Sequence, residues 1–173
     1  MSKHNVGGRA KLIVNPGAGK MLASSRILEH VTQALLAHGL PVDVALAHPT
    51  KEAVPIVKKA VKKGYSTVIA MGGDGTISAV IRGLAGSDAH LGIIAAGTEN
   101  DIATSLGIPE DVQEACALIA SDHTRDLDLA QISTRKKKKF IFFMVATVGL
   151  TSTLYPEIKD VLTVIFQTLK MRP

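Results

Sequence analysis

The sequence predicts an α/β protein built on a Rossmann-like parallel sheet with helices on both faces. Three observations lead to this prediction: short apolar runs alternate with amphipathic segments, glycine-rich turns follow three of the runs, and aromatic residues make up only 3% of the 173-residue chain. Buried parallel strands and their covering helices are rich in Val, Ile, Leu and Ala. Repeated strand-helix units of this kind therefore favour a parallel sheet over an all-β sandwich.

Four apolar runs are the predicted strands of the sheet. They are expected at residues 11–14, 42–46, 67–71 and 91–95. Four helices are recognised by apolar side chains that recur at spacings of three and four. They are expected over residues 22–38, 50–63, 77–84 and 109–119. Thr50 is the predicted cap of the second helix, and Pro109 is expected to open the fourth.

The pattern changes after Arg125. Two apolar runs, at residues 127–132 and 140–148, flank a basic run at residues 135–139, which is the pattern of a β-hairpin. An amphipathic pattern over residues 161–169 predicts one more helix. We therefore expect a flexible tail at residues 1–10, a nucleotide-binding α/β domain at 11–125, and the beginning of an incomplete, β-rich second domain at 126–173.

Composition narrows the function classes. The chain has a single cysteine, Cys116, which excludes a disulfide framework and a cysteine-ligated zinc site. This cysteine content fits a reducing cytoplasm. Cys116 is expected to be a small core residue. The longest apolar stretch, residues 140–150, is too short to span a bilayer. We expect a cytoplasmic protein, peripheral at the inner membrane surface.

The net charge of +5 suits an anionic partner, either a nucleotide, an acidic lipid headgroup or a nucleic acid. The basic run at residues 135–139 is expected to be a solvated hairpin tip or, alternatively, an anionic membrane contact. It lacks the interleaved aromatic residues that bind single-stranded nucleic acid, so nucleic acid is not an expected partner.

Three glycine-rich segments follow predicted strands. They are Asn15-Pro16-Gly17-Ala18-Gly19-Lys20, Gly72-Gly73-Asp74-Gly75-Thr76 and Gly97-Thr98-Glu99-Asn100-Asp101. Ligands of doubly wound sheets bind at the carboxyl ends of the strands, where glycines admit a phosphate and the next helix offers N–H groups. We expect the three segments to form the walls of one cleft. None of them is a Walker A or a Gly-x-Gly-x-x-Gly fingerprint.

Asp74 stands between glycines, where a carboxylate beside phosphates is unfavourable without a cation. Magnesium resolves this conflict, because it prefers hard oxygen ligands and bridges nucleotide phosphates. The alternative is that Asp74 caps the helix that follows it. Asp101 has the same two interpretations. Asp126 and Asp128 lie at a strand start, and the alternation places both on one face.

Taken in order, these motifs form a specific set. The set comprises Asn15-Pro16-x-x-Gly19-Lys20, Gly72-Gly73-Asp74-Gly75-Thr76, Gly97-Thr98-x-Asn100-Asp101, Leu106-Gly107-Ile108-Pro109 and Asp126-Leu127-Asp128-Leu129. It resembles the diacylglycerol kinase catalytic domain and looks closest to the compact bacterial lipid kinases. The resemblance implies a nucleotide domain like that of phosphofructokinases and NAD kinases. It also implies transfer of the ATP γ-phosphoryl group to a lipid hydroxyl at a membrane surface, in phospholipid biosynthesis.

The resemblance also implies which residues bind the cofactors, ATP and Mg²⁺. The residues expected at ATP are Asn15, Gly19, Gly72, Gly73, Asp74, Gly75, Thr76, Gly97, Thr98 and Asn100. Asp74, Asp101 and Asp128 match carboxylates that the family places in a water and magnesium network. No catalytic residue is assigned, because the family's general base belongs to the second lobe and this chain ends inside that lobe.

Several positions depart from the family pattern. Ser78-Ala79 replaces the usual Asn-Glu after the second glycine segment, Ala47 replaces a nucleotide-contacting threonine, Ala95-Ala96 replaces a Pro-x pair, and Phe143 replaces an asparagine. Weakened ATP affinity is the expected consequence. Ala79 and the missing lobe favour one alternative to a complete kinase, a nucleotide-binding module without turnover. The Gly-Gly-Asp-Gly run, which NAD kinases share, leaves a relative of the NAD kinases as the other alternative. An incomplete second domain also predicts a homodimer formed through that domain.

Overall fold

The computed structural model describes residues 8–19, 26–47, 52–121, 123–134, 139–143, 162–163 and 169–171. The elements are β1 (Ala10–Val14), α1 (Ile27–Ala37), β2 (Val42–Leu46), α2 (Ala53–Lys62), β3 (Thr67–Gly72), α3 (Asp74–Leu84), β4 (His90–Ala95), α4 (Asp101–Ser105), α5 (Val112–Ala120), β5 (Leu127–Thr134), β6 (Lys139–Phe142), β7 (Leu162–Thr163) and β8 (Leu169–Met171). Residues 22–25 of the predicted first helix and the predicted cap Thr50 lie outside the described residues.

The first four strands form a parallel sheet in the order β2-β1-β3-β4. The register pairs Val14 with Met71 and Gly72 with Ala95. The ends of β1, β3 and β4 therefore lie side by side at one edge of the sheet, called the carboxyl edge below. The opposite edge, where the strands begin, is the amino edge. The predicted α/β class is confirmed.

Helices cover both faces of this sheet. On one face, α2 and α3 pack against strand residues such as Ile13 and Ala70, and on the other face α1 and α5 pack against Leu12 and Met71. Successive strand residues therefore face opposite helix layers. Cys116 lies in the second layer and is fully buried, as predicted, and desolvation raises the pKa of its thiol to about 11.

The segment after β4 differs from the prediction. A short helix, α4, follows Asn100 directly; five residues are too few to show a helical period in the sequence. The next helix begins at Val112 and not at Pro109, because the Asp111 carboxylate accepts hydrogen bonds from the Gln113 and Glu114 N–H groups and caps the helix there.

The predicted hairpin after Arg125 is present as β5 and β6, which pair antiparallel with Ile132 opposite Phe140. The predicted helix over residues 161–169 is wrong where the structure describes it. Residues 162–163 form β7 and residue 169 begins β8, and both strands pair antiparallel with β5. Pairing with β5 overrides the helical period of a segment rich in Val, Thr and Ile. Residues 144–148 and 164–168 lie outside the described residues.

Among the helices that the structure describes, none is long and apolar enough to cross a membrane.

Candidate functional site

The N-terminus of α3 lies at the carboxyl edge. Gly73 is its N-cap in an extended conformation, and no side chain caps the helix. The N–H groups of Thr76 and Ile77 donate back to the Gly73 carbonyl, at 2.9 and 3.1 Å. The N–H groups of Asp74 and Gly75 have no acceptor among the described residues. An uncapped helix start of this kind attracts anions.

Two turns meet in backbone contact beside this helix start. A Cβ atom placed on Gly97 would lie 2.4 Å from the Gly73 Cα, and one placed on Gly73 would lie 3.1 Å from the Gly97 Cα. A Cβ on Gly19 would lie 3.4 Å from the Thr98 Oγ1 and 3.9 Å from the Gly97 carbonyl carbon. The structure thus brings the three glycine-rich segments together, as the strand order requires.

The two asparagines of these loops shape the backbone. Asn100 is in the left-handed conformation, with a φ of 62°, and is buried. Its Oδ1 accepts a hydrogen bond from the Gly97 N–H at 2.8 Å, and its Nδ2 donates to the Gly97 carbonyl at 3.1 Å. Asn15 Oδ1 accepts from the Gly17 N–H at 3.0 Å. Both side-chain amides stabilise the backbone of their own loops through these hydrogen bonds. Any contact with a nucleotide would be a second role.

Asp74 does not cap its own helix, in which it is the first residue after the N-cap. Its carboxylate instead receives two backbone N–H groups from the start of α4. Asp101 donates to Oδ2 at 3.1 Å, and Ile102 donates to Oδ1 at 2.8 Å. Neither of the two interpretations of Asp74 from the sequence anticipated this contact, because a backbone donor leaves no signal in residue identity.

The predicted magnesium network involves Asp74, Asp101 and Asp128. The side chains of Asp101 and Asp128 are exposed. No group of three or more His, Cys, Asp and Glu side chains in the described part of the chain could hold a metal ion directly. A network that reaches the metal through water stays a prediction.

Thr76 is buried, with 1% of its surface exposed. Its hydroxyl has no hydrogen-bond partner in the described structure, and a Cβ on Gly72 would lie 2.5 Å from it. Thr76 therefore packs the start of α3 against the end of β3. Gly75 and Thr98, by contrast, are exposed at the carboxyl edge.

The positions that depart from the family pattern lie in apolar surroundings. Ala79 is fully buried in the layer of α2 and α3, and Ala47 is 2% exposed in the same layer. Phe143 packs against that layer from its edge. Apolar packing therefore occupies three positions where the resemblance would place polar groups.

A cavity lies at the other end of the sheet. It has a volume of about 680 Å³ and is lined at the amino edge by residues that include Arg9, Leu91, Gly92, Leu118 and Arg125. It is mostly apolar and contains none of the glycine-rich segments. We favour the carboxyl edge as the functional site, because its uncapped N–H groups can bind phosphate.

A side-chain network stands beside this cavity. Asp43 accepts two hydrogen bonds from the Arg9 guanidinium, at 2.6 and 2.9 Å, and one from the Tyr65 hydroxyl at 2.6 Å. The hydrogen bonds from Arg9, and to a smaller extent the one from Tyr65, lower the pKa of Asp43 to about 2. The network joins β2 to the segment before β1 and to the turn before β3.

Comparison with known proteins gives a consistent result. A family model described as the diacylglycerol kinase catalytic domain matches residues 9–132. The chain is 34% identical over 128 residues to a diacylglycerol kinase of Staphylococcus haemolyticus, covering 73% of this chain and 38% of that protein. It is 37% identical over 134 residues to a probable lipid kinase YegS of Escherichia coli, covering 75% of this chain and 44% of that protein.

Solved structures agree with these relatives. The crystal structure of a diacylglycerol kinase from Bacillus anthracis superposes with a TM-score of 0.64 at 28% identity, and the match covers 76% of this chain and 47% of that one. The matched part of the chain thus spans less than half the length of each of these three proteins.

Proposed function

Since this chain belongs to the diacylglycerol kinase catalytic domain family, we propose that it is the nucleotide-binding part of a lipid kinase, which transfers the γ-phosphoryl group of ATP to a lipid hydroxyl. The main support is the meeting of three glycine-rich loops at the carboxyl edge. Backbone can approach a phosphate closely only where side chains are absent, and these loops contact one another through Gly19, Gly73 and Gly97.

ATP phosphates would lie at the start of α3. The N–H groups of Asp74 and Gly75 have no acceptor among the described residues, and an eleven-residue helix presents its positive end there. The exposed Thr98 hydroxyl, beside Gly19, would add a donor from the third loop. These groups bind phosphate without needing a lysine, which is consistent with the lack of a Walker A sequence.

Magnesium would neutralise charge on the phosphates when it is bound. Asp101 and Asp128 offer exposed carboxylates, and Mg²⁺ commonly keeps several of its waters beside such ligands. Their exposure suits contact through water. Asp74 is already engaged with backbone donors and would act beside the metal rather than as its main ligand.

In the proposed reaction, the hydroxyl oxygen of the lipid bonds to the γ-phosphorus while the bond from that phosphorus to the β–γ bridging oxygen breaks and ADP leaves. The hydroxyl proton passes to a general base. We assign no described residue to that role. This chain would bind and orient ATP, and positioning together with charge neutralisation supplies most of the catalysis of phosphoryl transfer.

A nucleotide-binding module without turnover is the second candidate. It is favoured by the fully buried Ala79, which puts an apolar contact where the family pattern carries a glutamate beside the nucleotide. Such a module would bind ATP and act through a partner.

Contact with an anionic membrane surface is part of the proposal. The second domain exposes Phe140, at 51% of its surface, next to Lys139 on β6. A homodimer through the second domain would use the same surface. Light scattering with and without anionic vesicles distinguishes the two: a dimer persists without vesicles, whereas membrane contact needs them.

Two measurements test the function. Calorimetric titration with ATP and Mg²⁺ should show one binding site, and chelation of Mg²⁺ should weaken it. Incubation with labelled ATP and mixed lipid vesicles should yield labelled lipid if the chain is a complete kinase. Binding without labelled lipid is expected of both candidates, and labelled lipid formed only by a longer chain with a complete second domain would favour the kinase over the module. Transfer to NAD would support the NAD kinase alternative, and no binding rejects both candidates.

A matched pair of variants locates the ATP site. Gly19→Asp puts a carboxylate beside Thr98 and Gly97, where it would repel phosphate, and should weaken ATP binding more than about tenfold. Ala37→Asp adds the same charge at an exposed position at the end of α1 and should leave ATP affinity unchanged. Equal effects of the two variants would reject the carboxyl edge as the ATP site.

A further inference from the structure

The first turn of α4 is capped from another part of the chain. Its own N-cap residue, Asn100, has a left-handed backbone, and its side chain forms hydrogen bonds with the backbone of Gly97. Asn100 therefore makes no cap hydrogen bond. The N–H groups of Asp101 and Ile102 would otherwise lack acceptors. Asp74, which lies 27 and 28 residues earlier, takes both of them with its two carboxylate oxygens.

We propose that Asp74 is a positioning residue, whose carboxylate holds the third glycine loop against the second before any ligand binds. Hydrogen bonds from N–H groups to a carboxylate are charge-assisted and stronger than neutral ones. The two hydrogen bonds of Asp74 join the first residue of α3, which follows Gly73, to the first turn of α4, which follows Gly97. On the strand side of the glycine contact the Ala96 N–H donates to the Gly72 carbonyl at 3.0 Å. The Asp74 carboxylate adds the connection on the helix side, where no other described side chain joins the two loops.

The hydrogen bonds of Asp74 also give the N-termini of α3 and α4 different roles. The negative charge of Asp74 occupies the start of α4, whereas at the start of α3 the N–H groups of Asp74 and Gly75 have no acceptor among the described residues. Of these two helix starts, α3 is then the one available to an anion. The consequence for ATP rests on the function proposed above, but the hydrogen bonds of Asp74 do not.

Hydrogen exchange in the nucleotide-free chain tests the proposal. Asp74→Asn preserves the shape of the side chain, but its amide can accept only one N–H group and turns its own donor toward the other. The amides of Asp101 and Ile102 should lose protection by about tenfold or more, while amides in the middle of α3 keep theirs. Glu99→Gln makes the same change at an exposed carboxylate of the same loop and should leave both protection factors unchanged.

Unchanged protection at Asp101 and Ile102 in Asp74→Asn, or an equal loss in Glu99→Gln, would overturn the proposal. If Asp74→Asn does not fold, the unmodified chain decides: a scalar coupling across the hydrogen bond between the Ile102 amide nitrogen and the Asp74 carboxyl carbon is expected, and its absence would count against the bond.

ATP titration of the same variants then separates this proposal from the proposed function. Weaker ATP binding in Asp74→Asn, with Glu99→Gln normal, would extend the positioning role to the nucleotide. If the unmodified chain binds no ATP, the proposed function fails, whereas the exchange result still decides whether Asp74 positions the loop.

Discussion

The two edges of the parallel sheet are built in different ways. The carboxyl edge is made of main chain: Gly73 touches Gly97, Asn100 bonds to its own loop, and Asp74 accepts backbone N–H groups. The amino edge is made of side chains, with Asp43 between two donors and a cavity of about 680 Å³ beside it. The cavity by itself would therefore point to the amino edge, away from the phosphate site proposed above.

Helix polarity explains the difference. Helix α1 ends at Ala37 and α5 ends at Ala120, so their carbonyl ends lie at the amino edge, where His38 and Ser121 line the cavity. A helix C-terminus carries partial negative charge and disfavours an anion. Helix α3 begins at the carboxyl edge and favours one. The glycine-lined site therefore suits the phosphates of the proposed ATP ligand better than the amino-edge cavity does.

Among the variants that test the difference between the two edges, Gly97→Ala is expected to have the largest effect. The new Cβ would lie 2.4 Å from the Gly73 Cα and 2.8 Å from the Asn100 Oδ1, so the two loops must separate. We expect the free energy of unfolding to fall by about 1–3 kcal/mol, as for other overpacked sites, and ATP binding to be lost. Urea denaturation and calorimetry measure the two effects.

Gly17→Ala is the matched control in the first loop. Among the described residues its Cβ would meet nothing closer than the Asn15 Oδ1 at 3.4 Å, an ordinary contact, so stability should change little. Normal ATP binding by Gly97→Ala would show that the backbone contact between the loops does not shape the nucleotide site.

A smaller effect is expected from Asp43→Asn at the amino edge. The loss of charge weakens the bonds from Arg9 and Tyr65 and should lower stability at neutral pH, by less than Gly97→Ala does, with ATP affinity unchanged. The folded pKa of Asp43, about 2, lies below its ordinary value of 3.8. Its contribution to stability is therefore complete above pH 3.8 and is lost as pH falls toward 2.

Urea midpoints of the Asp43→Asn variant and the unmodified chain should accordingly converge between about pH 4 and pH 2. A constant difference across this range would mean that the charge of Asp43 contributes nothing. Reduced ATP affinity in the variant would link the two edges and contradict their separation.

The smallest effect is expected from Arg125→Ala. Arg125 lines the amino-edge cavity and donates a hydrogen bond to the Leu106 carbonyl. If phosphate binds only at the carboxyl edge, ATP affinity should stay within about twofold of the original value, since a remote surface change couples weakly to the site. A loss of more than tenfold would instead assign the phosphates to the cavity at the amino edge.

The sequence by itself determined the parallel sheet, its four strands and the position of the three glycine-rich segments. These follow from local signals, since apolar runs, helical periods and glycine turns each report on a few neighbouring residues. The order of motifs also determined the family, which the match over residues 9–132 confirms. The sequence did not predict the short helix α4, because five residues are too few to show a helical period. It did not predict the strands β7 and β8 either, because their pairing depends on distant residues.

Only the tertiary structure decided what the site residues contact. The sequence placed Asp74 either at a metal or at the cap of its own helix, but the fold brings it to the backbone of Ile102, 28 residues later. The contact between Gly73 and Gly97 is likewise long-range. Glycine identity shows that backbone can approach closely, but which two loops meet depends on the strand order, and so does the capping of α4 by a carboxylate that belongs to α3.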